Sequence, residues 1–180
     1  MADREIKIID PLKITSYDLP MVVFSDDLRG FIPWAIRHHT NGNYNHVMFM
    51  IDPMYFATQS WTYKEIPIER YLKPRYRLKF WSILGLTGQD KANIYMHVAD
   101  KLKQPWYKNL YDFPGILGQA IGLPKLNIPW LEYCSEDVPQ GLRVVPSLRD
   151  LIPEHPSPSQ LNKLFDTIPQ MKYFGHWMKD

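Results

Sequence analysis

Apolar and polar positions change period several times along the chain, and each period nominates an element. Pro20-Met21-Val22-Val23-Phe24 is a continuous apolar run that reads as a buried strand. Ser25-Asp26-Asp27 has the composition of a helix cap ahead of Leu28, Phe31, Ile32, Ala35 and Ile36. Gly30 and Pro33 divide that run into two short helical pieces, the second starting near Pro33. Thr40-Asn41-Gly42-Asn43 is a turn by composition. Tyr44 to Ile51 is apolar throughout after His46 and predicts a central strand, which Asp52-Pro53-Met54 breaks. Tyr55 to Trp61 returns as a second strand, and Ile66 to Leu72 reads as a connector with a short helical turn. Tyr76 to Ile83 alternates polar and apolar at first, as a half-buried strand does.

The second half of the chain switches to helical spacing. Asp90 is expected to cap a helix running to about Lys103, because Ile94, Val98 and Leu102 recur every four residues, and Pro105 stops it. A Gly-rich helix is expected from Phe113 or Pro114 to Gly122. Cys134 opens a further helix, with Ser135-Glu136-Asp137 in its first turn. Pro139 and Gly141 are expected to interrupt or end it. Ser157-Pro158-Ser159-Gln160 combines a cap serine, a proline at the first helical position and a glutamine three residues after the cap. That is a capping box opening a helix through Leu161, Leu164 and Phe165. A last strand is expected from Met171 to Gly175. No internal repeat or linker interrupts the pattern, so residues 1–180 read as a single domain.

Composition narrows the function classes. Hydrophobic residues make up 45% and charged residues 22% of the 180 positions, a globular balance. A net charge of +2, no Gly-rich phosphate loop and no basic run with interleaved aromatics argue against a nucleic-acid partner. The one cysteine forms no internal disulfide. The charged start, Met1-Ala2-Asp3-Arg4-Glu5, is not followed by a signal-peptide core, and no apolar run reaches membrane-spanning length. The expectation is a cytoplasmic or otherwise soluble protein with no transmembrane segment. Six Trp and eleven Tyr supply either an aromatic groove (Trp34, Trp61, Trp106 and Trp130 are the candidates) or, more ordinarily, core.

The candidate chemistry starts at Cys134. A lone cysteine is most often a small buried apolar residue. At a helix N-terminus, however, a thiol meets unpaired N–H groups and the positive end of the helix dipole, which favour thiolate. A nucleophilic thiol needs a base, and six histidines are available. His155 and His176 read as surface residues, His97 as a boundary residue on a helix, and His38 and His39 as adjacent residues near a helix end. His38, His39 and Cys134 have no recognised zinc-ligand spacing, so no metal and no cofactor is expected. His46 opens a long apolar strand and so is held at a sheet end. If the turn from Asp52 to Tyr55 has an even number of loop residues, Met48 faces Gln59 and His46 faces Trp61. Gln59 is then the neighbour that orients the imidazole. An odd loop nominates Thr58 or Ser60 instead.

These motifs, in this order, resemble the circularly permuted, NlpC-like branch of the papain-like cysteine hydrolases, which includes the YiiX-like and lecithin retinol acyltransferase-like proteins. Met21-Val22-Val23-Phe24 is similar to the opening strand of that branch, and Ile32-Pro33-Trp34-Ala35-Ile36-Arg37 to the helix before its histidine. Tyr44-Asn45-His46-Val47 is similar to its Ser-His-Val-type strand start, and Tyr133-Cys134-Ser135-Glu136-Asp137-Val138 to its Cys-Ser-Glu-Leu-Val element. Ser157-Pro158-Ser159-Gln160-Leu161 matches its terminal Ser-Pro-x-x-Leu helix start. The resemblance implies an α+β fold: a single papain-like domain whose antiparallel sheet packs against helices, permuted so that the histidine strand precedes the cysteine helix.

It also implies a thiol hydrolase acting on an amide or ester bond of a peptide or lipid-type acyl substrate. Cys134 would be the nucleophile, His46 the base, Gln59 the orienting group and Tyr44 a second oxyanion donor beside the backbone at Cys134. An acyltransferase using the same acyl-enzyme, or a papain-like binding module with little turnover, are the alternatives. The chain departs from the pattern twice. Thr58, Gln59 or Ser60 stands where many relatives carry Glu, and Asp137 replaces a leucine, adding a charge that opposes thiolate formation.

Overall fold

The computed structural model describes residues 6–29, 42–59, 62–105 and 134–179, with Cys134 and Ser135 described by backbone alone. Strands β1 (Met21–Asp27), β2 (His46–Asp52), β3 (Tyr55–Gln59), β4 (Tyr63–Pro67), β5 (Tyr76–Ile83) and β6 (Met171–Met178) form one sheet in the order β4-β3-β2-β1-β5-β6. Every neighbouring pair is antiparallel. Helices α1 (Gly88–Lys103), α2 (Cys134–Arg143), α3 (Pro146–Arg149) and α4 (Pro158–Phe165) complete an α+β architecture. Among the described residues, no helix is long and apolar enough to cross a membrane.

The sheet is covered on both faces. Val22, Phe24, Val47, Phe49, Ala57 and Trp81 pack with Ile94 and Val98 of α1, Val138 and Leu142 of α2, and Leu161 and Phe165 of α4. Met21, Val23, Met48, Met50, Phe56 and Phe80 face the other way, against Ile14, Leu19, Ile68 and Tyr71. A strand buried on both faces has no polar face to show, which is why β1 and β2 read as unbroken apolar runs.

Four elements differ from the sequence reading. Ser25-Asp26-Asp27 continue β1 instead of capping a helix. Ser25 pairs with His46 on one side and Leu78 on the other, Asp27 pairs with Tyr76, and the Asn45 amide donates to Asp26 Oδ1 at 2.8 Å. Ladder bonds from two neighbours outweigh the local capping preference. β4 takes Ile66 and Pro67 from the expected connector and adds Tyr63–Glu65, for which the pattern nominates no element, because its polar centre, Lys64-Glu65, is exposed on an edge strand and breaks the alternation.

α2 continues through Pro139 and Gly141 to Arg143. Proline in a helix interior costs about 3 kcal/mol, and burial of Val138, Pro139 and Leu142 offsets it. Helix α1 starts one turn earlier than expected: Thr87 is the cap, and Asp90, the third helical residue, completes its capping box. The box at Ser157 opens α4 as read. The pieces expected over 28–36 and the helix expected over 113–122 lie largely or wholly outside the described residues.

Candidate functional site

His46 is the first residue of β2 and sits half-buried at the sheet end. Its neighbours follow from the β2–β3 register. Asp52 pairs with Tyr55 across a turn of two residues, but the ladder then shifts between Asp52 and Met50, so Met50 pairs with Phe56 and Phe49 with Ala57. The turn is even, as the sequence reading required, yet the bulge at Ile51 slips the register by one and exchanges the faces. Continuing this register sets Met48 opposite Thr58 and makes Thr58 the diagonal neighbour of His46. The His46 ring Nε2 lies 2.5 Å from Thr58 Oγ1. Gln59, expected in that role, is buried on the opposite face of β3, with Ala57. Ser60, the other alternative, lies outside the described residues.

Burial pushes the His46 imidazole down to about 4, since a desolvated ring resists charging. The ring at neutral pH is therefore uncharged and either donates to or accepts from the Thr58 hydroxyl. Ser25, directly across the ladder on β1, is buried beside it.

Helix α2 begins at Cys134, and its contacts orient it on the sheet. A Cβ placed on Gly141 would lie 2.6 Å from Phe49 Cε2 and 2.9 Å from His97 Cδ2, so the missing side chain lets α2 close onto β2 and α1. Arg143 donates to the Ile152 carbonyl at 2.8 Å, and His155 Nδ1 lies 2.9 Å from Glu136 Oε1. The chain from 152 to 155 thus runs back along α2 from its last turn to its first. It then enters α4, where Ser159 Oγ donates to the Tyr44 carbonyl at 3.2 Å. The start of α2 and the start of β2 consequently lie toward the same end of the sheet.

They lie on different faces. Helix α2 packs on the side of Val47 and Phe49, whereas alternation puts His46 on the side of Met48 and Met50.

The acidic first turn of α2 is built inward. Asp137 is buried, and its Oδ1 lies 3.1 Å from His97 Nε2 on α1. Its Oδ2 has no hydrogen-bond partner among the described residues. Neither histidine pairing was read from the sequence. The available signal was a pair of carboxylates beside Val138 on a short helix with buried neighbours, where one turn cannot keep both in water. Tyr44, expected near the cysteine, directs its hydroxyl to His176 Nε2 at 3.1 Å and packs its ring at a tilt against Phe24. Trp34, Trp61, Trp106 and Trp130, and the pair His38 and His39, lie outside the described residues. No group of three or more His, Cys, Asp or Glu among the described residues is placed to hold a metal ion.

Comparison of the chain with protein-family models and with curated proteins finds no match to either.

Proposed function

We propose that the chain is a cysteine hydrolase of the permuted papain-like kind, cleaving an amide or ester bond of a peptide or lipid-type acyl substrate. What carries the reading is the common level of two starts: α2 begins at Cys134 toward the end of the sheet where β2 begins at His46. In this mechanism the Cys134 thiol attacks the acyl carbonyl and passes its proton to a neutral His46, which returns it to the leaving group. Backbone N–H groups at the start of α2 stabilise the oxyanion. Water then releases the acyl group. An acceptor other than water would make the same intermediate an acyltransferase.

A second reading has its own support. His46 lies on the β2 face away from α2, its Nε2 is engaged with Thr58, and burial keeps it neutral. Those features suit a papain-like scaffold used for binding.

The rate of Cys134 alkylation against pH, in the wild type and in His46→Ala, separates the two. A working pair gives rapid labelling well below the free thiol value of about 8.5, slowed toward ordinary thiol behaviour by the substitution. Labelling that follows ordinary thiol titration and ignores His46→Ala rejects the hydrolase and leaves the scaffold.

A further inference from the structure

Residues 6–9 lie along the outer edge of β6. Ile8 bridges His176 in parallel. His176 N–H donates to the Lys7 carbonyl and Ile9 N–H to the His176 carbonyl, both at 2.8 Å. The side chains straddle the edge. Lys7 Nζ lies 5.1 Å from the Phe174 ring centre on one face, and on the other Ile6 lines a cavity of about 60 Å³ with Lys79, Tyr173 and His176. Little of the segment is buried: Ile6 and Ile8 are 60% and 56% exposed, Lys7 is exposed and Ile9 is half-buried. Burial starts at Pro11, which opens a 3-10 turn capped by Asp10 and leads to Ile14 in the core.

The edge is shaped to receive this segment. A Cβ on Gly175 would collide with Ile9 Cγ2 and stand 3.1 Å from the Lys7 carbonyl oxygen and 3.2 Å from Ile9 Cγ1. All three of these nearest atoms belong to residues 7–9, so the glycine makes room for the segment.

The segment also meets a hydrogen-bonded chain that the Cys134 chemistry does not use. The β5–β6 register slips between Phe80 and Trp81, which leaves Phe174 as an extra residue and turns Tyr173 and His176 to one face. Tyr173 Oη lies 2.5 Å from His176 Nδ1, and His176 Nε2 lies 3.1 Å from Tyr44 Oη. Lys7 N–H donates to Tyr173 Oη at 3.2 Å. Burial first, and the Lys79 charge second, hold the His176 imidazole down to about 4. At neutral pH it therefore donates through one nitrogen and accepts through the other. Tyr44 is fixed again at its backbone, where its carbonyl accepts from Ser159 Oγ at 3.2 Å, and His46 follows it on β2.

We propose that residues 6–9 are a strap that opens as a unit about Asp10 and Pro11 while the sheet stays folded, and that its closure holds Tyr173, His176 and Tyr44 in one arrangement. Two ladder bonds and one half-buried side chain are a small anchor, and parallel pairing is the weaker kind. Segments with so few buried apolar contacts open without global unfolding. On opening, the His176 N–H and C=O exchange their strap partners for water, and Tyr173 Oη loses the Lys7 N–H. The three rings then reorient together, because both hydroxyls share one imidazole. The device depends on no step of the thiol chemistry.

The test is native-state amide hydrogen exchange of the full chain, read by NMR across a series of low urea concentrations. In the wild type the Ile9 and His176 amides should share one opening equilibrium, at least about a hundredfold more populated than that of β1 amides such as Val23 and nearly independent of urea. Gly175→Ala should speed exchange at both amides roughly tenfold or more through overpacking, and leave the β1 amides unchanged. It should also shift the ring signals of His176, Tyr173 and Tyr44 together, but not those of Tyr71 on the opposite face. Three results each overturn the proposal: Ile9 and His176 amides that exchange only with β1, no faster exchange in Gly175→Ala, or Tyr44 ring signals that stay put while the strap amides open. The wild-type urea series needs no variant, so it decides even if Gly175→Ala fails to fold.

Discussion

The buried pair between Asp137 and His97 invites the most direct perturbation. Asp137 keeps 1% of its side-chain surface exposed and His97 13%, so water cannot replace either partner. One carboxylate oxygen already lacks a hydrogen-bond partner among the described residues, and His97 Nε2 serves the other at 3.1 Å. His97→Ala would leave a buried carboxylate with neither oxygen served by the imidazole. Losing a hydrogen bond to a charged group and stranding that charge costs about 3–5 kcal/mol.

For a domain of this length that corresponds to a fall in Tm of roughly 6–20 °C. Asp137→Leu removes the charge itself and leaves only an imidazole N–H to satisfy. Its cost should be smaller, about 1–3 kcal/mol. The decisive variant is the double change His97→Ala with Asp137→Leu, which should be more stable than His97→Ala alone. Urea denaturation of the four proteins gives the coupling energy. If His97→Ala shifts Tm by less than about 2 °C, or if the double variant is no more stable than the single, the pair does not anchor α2 and the reasoning is wrong.

Two further outcomes follow from the same geometry. His46 and His176 are each held down to about 4 when folded, against about 6.5 unfolded. Because the folded values are depressed, the unfolded chain binds more protons. Stability is full above about pH 6.5, declines as pH falls toward about 4, and levels off below, by up to about 3 kcal/mol for the buried His46 and by less for the partly exposed His176. Denaturation midpoints measured across that window should lose half or more of this histidine-linked slope in His46→Gln, and an unchanged slope would refute the assignment. Gly141→Ala should cost about 1–3 kcal/mol by overpacking, since the new Cβ would sit 2.6 Å from the Phe49 ring in the core. Phe49→Leu in the same chain should recover part of that loss in thermal melts. A neutral Gly141→Ala would show that α2 does not close on β2.

Most elements were legible because their signals are local. The apolar runs of β1 and β2, the alternation in β5 and the capping box at Ser157 each depend on residues within a few positions. β4 was missed because its exposed Lys64-Glu65 centre answers to an edge position that only the sheet defines. The end of α2 was misjudged because Pro139 obeys the packing of Val138 and Leu142 over its own preference. In the candidate site, Cys134 at a helix start and His46 at a strand start are local facts and were readable. The choice of Thr58 over Gln59 was not, since one bulged residue at Ile51 exchanges every face beyond it.

The chain's own pattern therefore determined most of the strands and helices and which side chains are candidates for chemistry. Tertiary structure decided which candidates meet. Asp137 became a buried partner of His97 because α1 packs on α2, and Tyr44 turned to His176 because β6 closes the sheet edge. Periodicity is written in neighbours a few residues apart. Register and facing join residues on different strands, and the two pairings join residues 40 and 132 positions apart, information that only the packed sheet supplies.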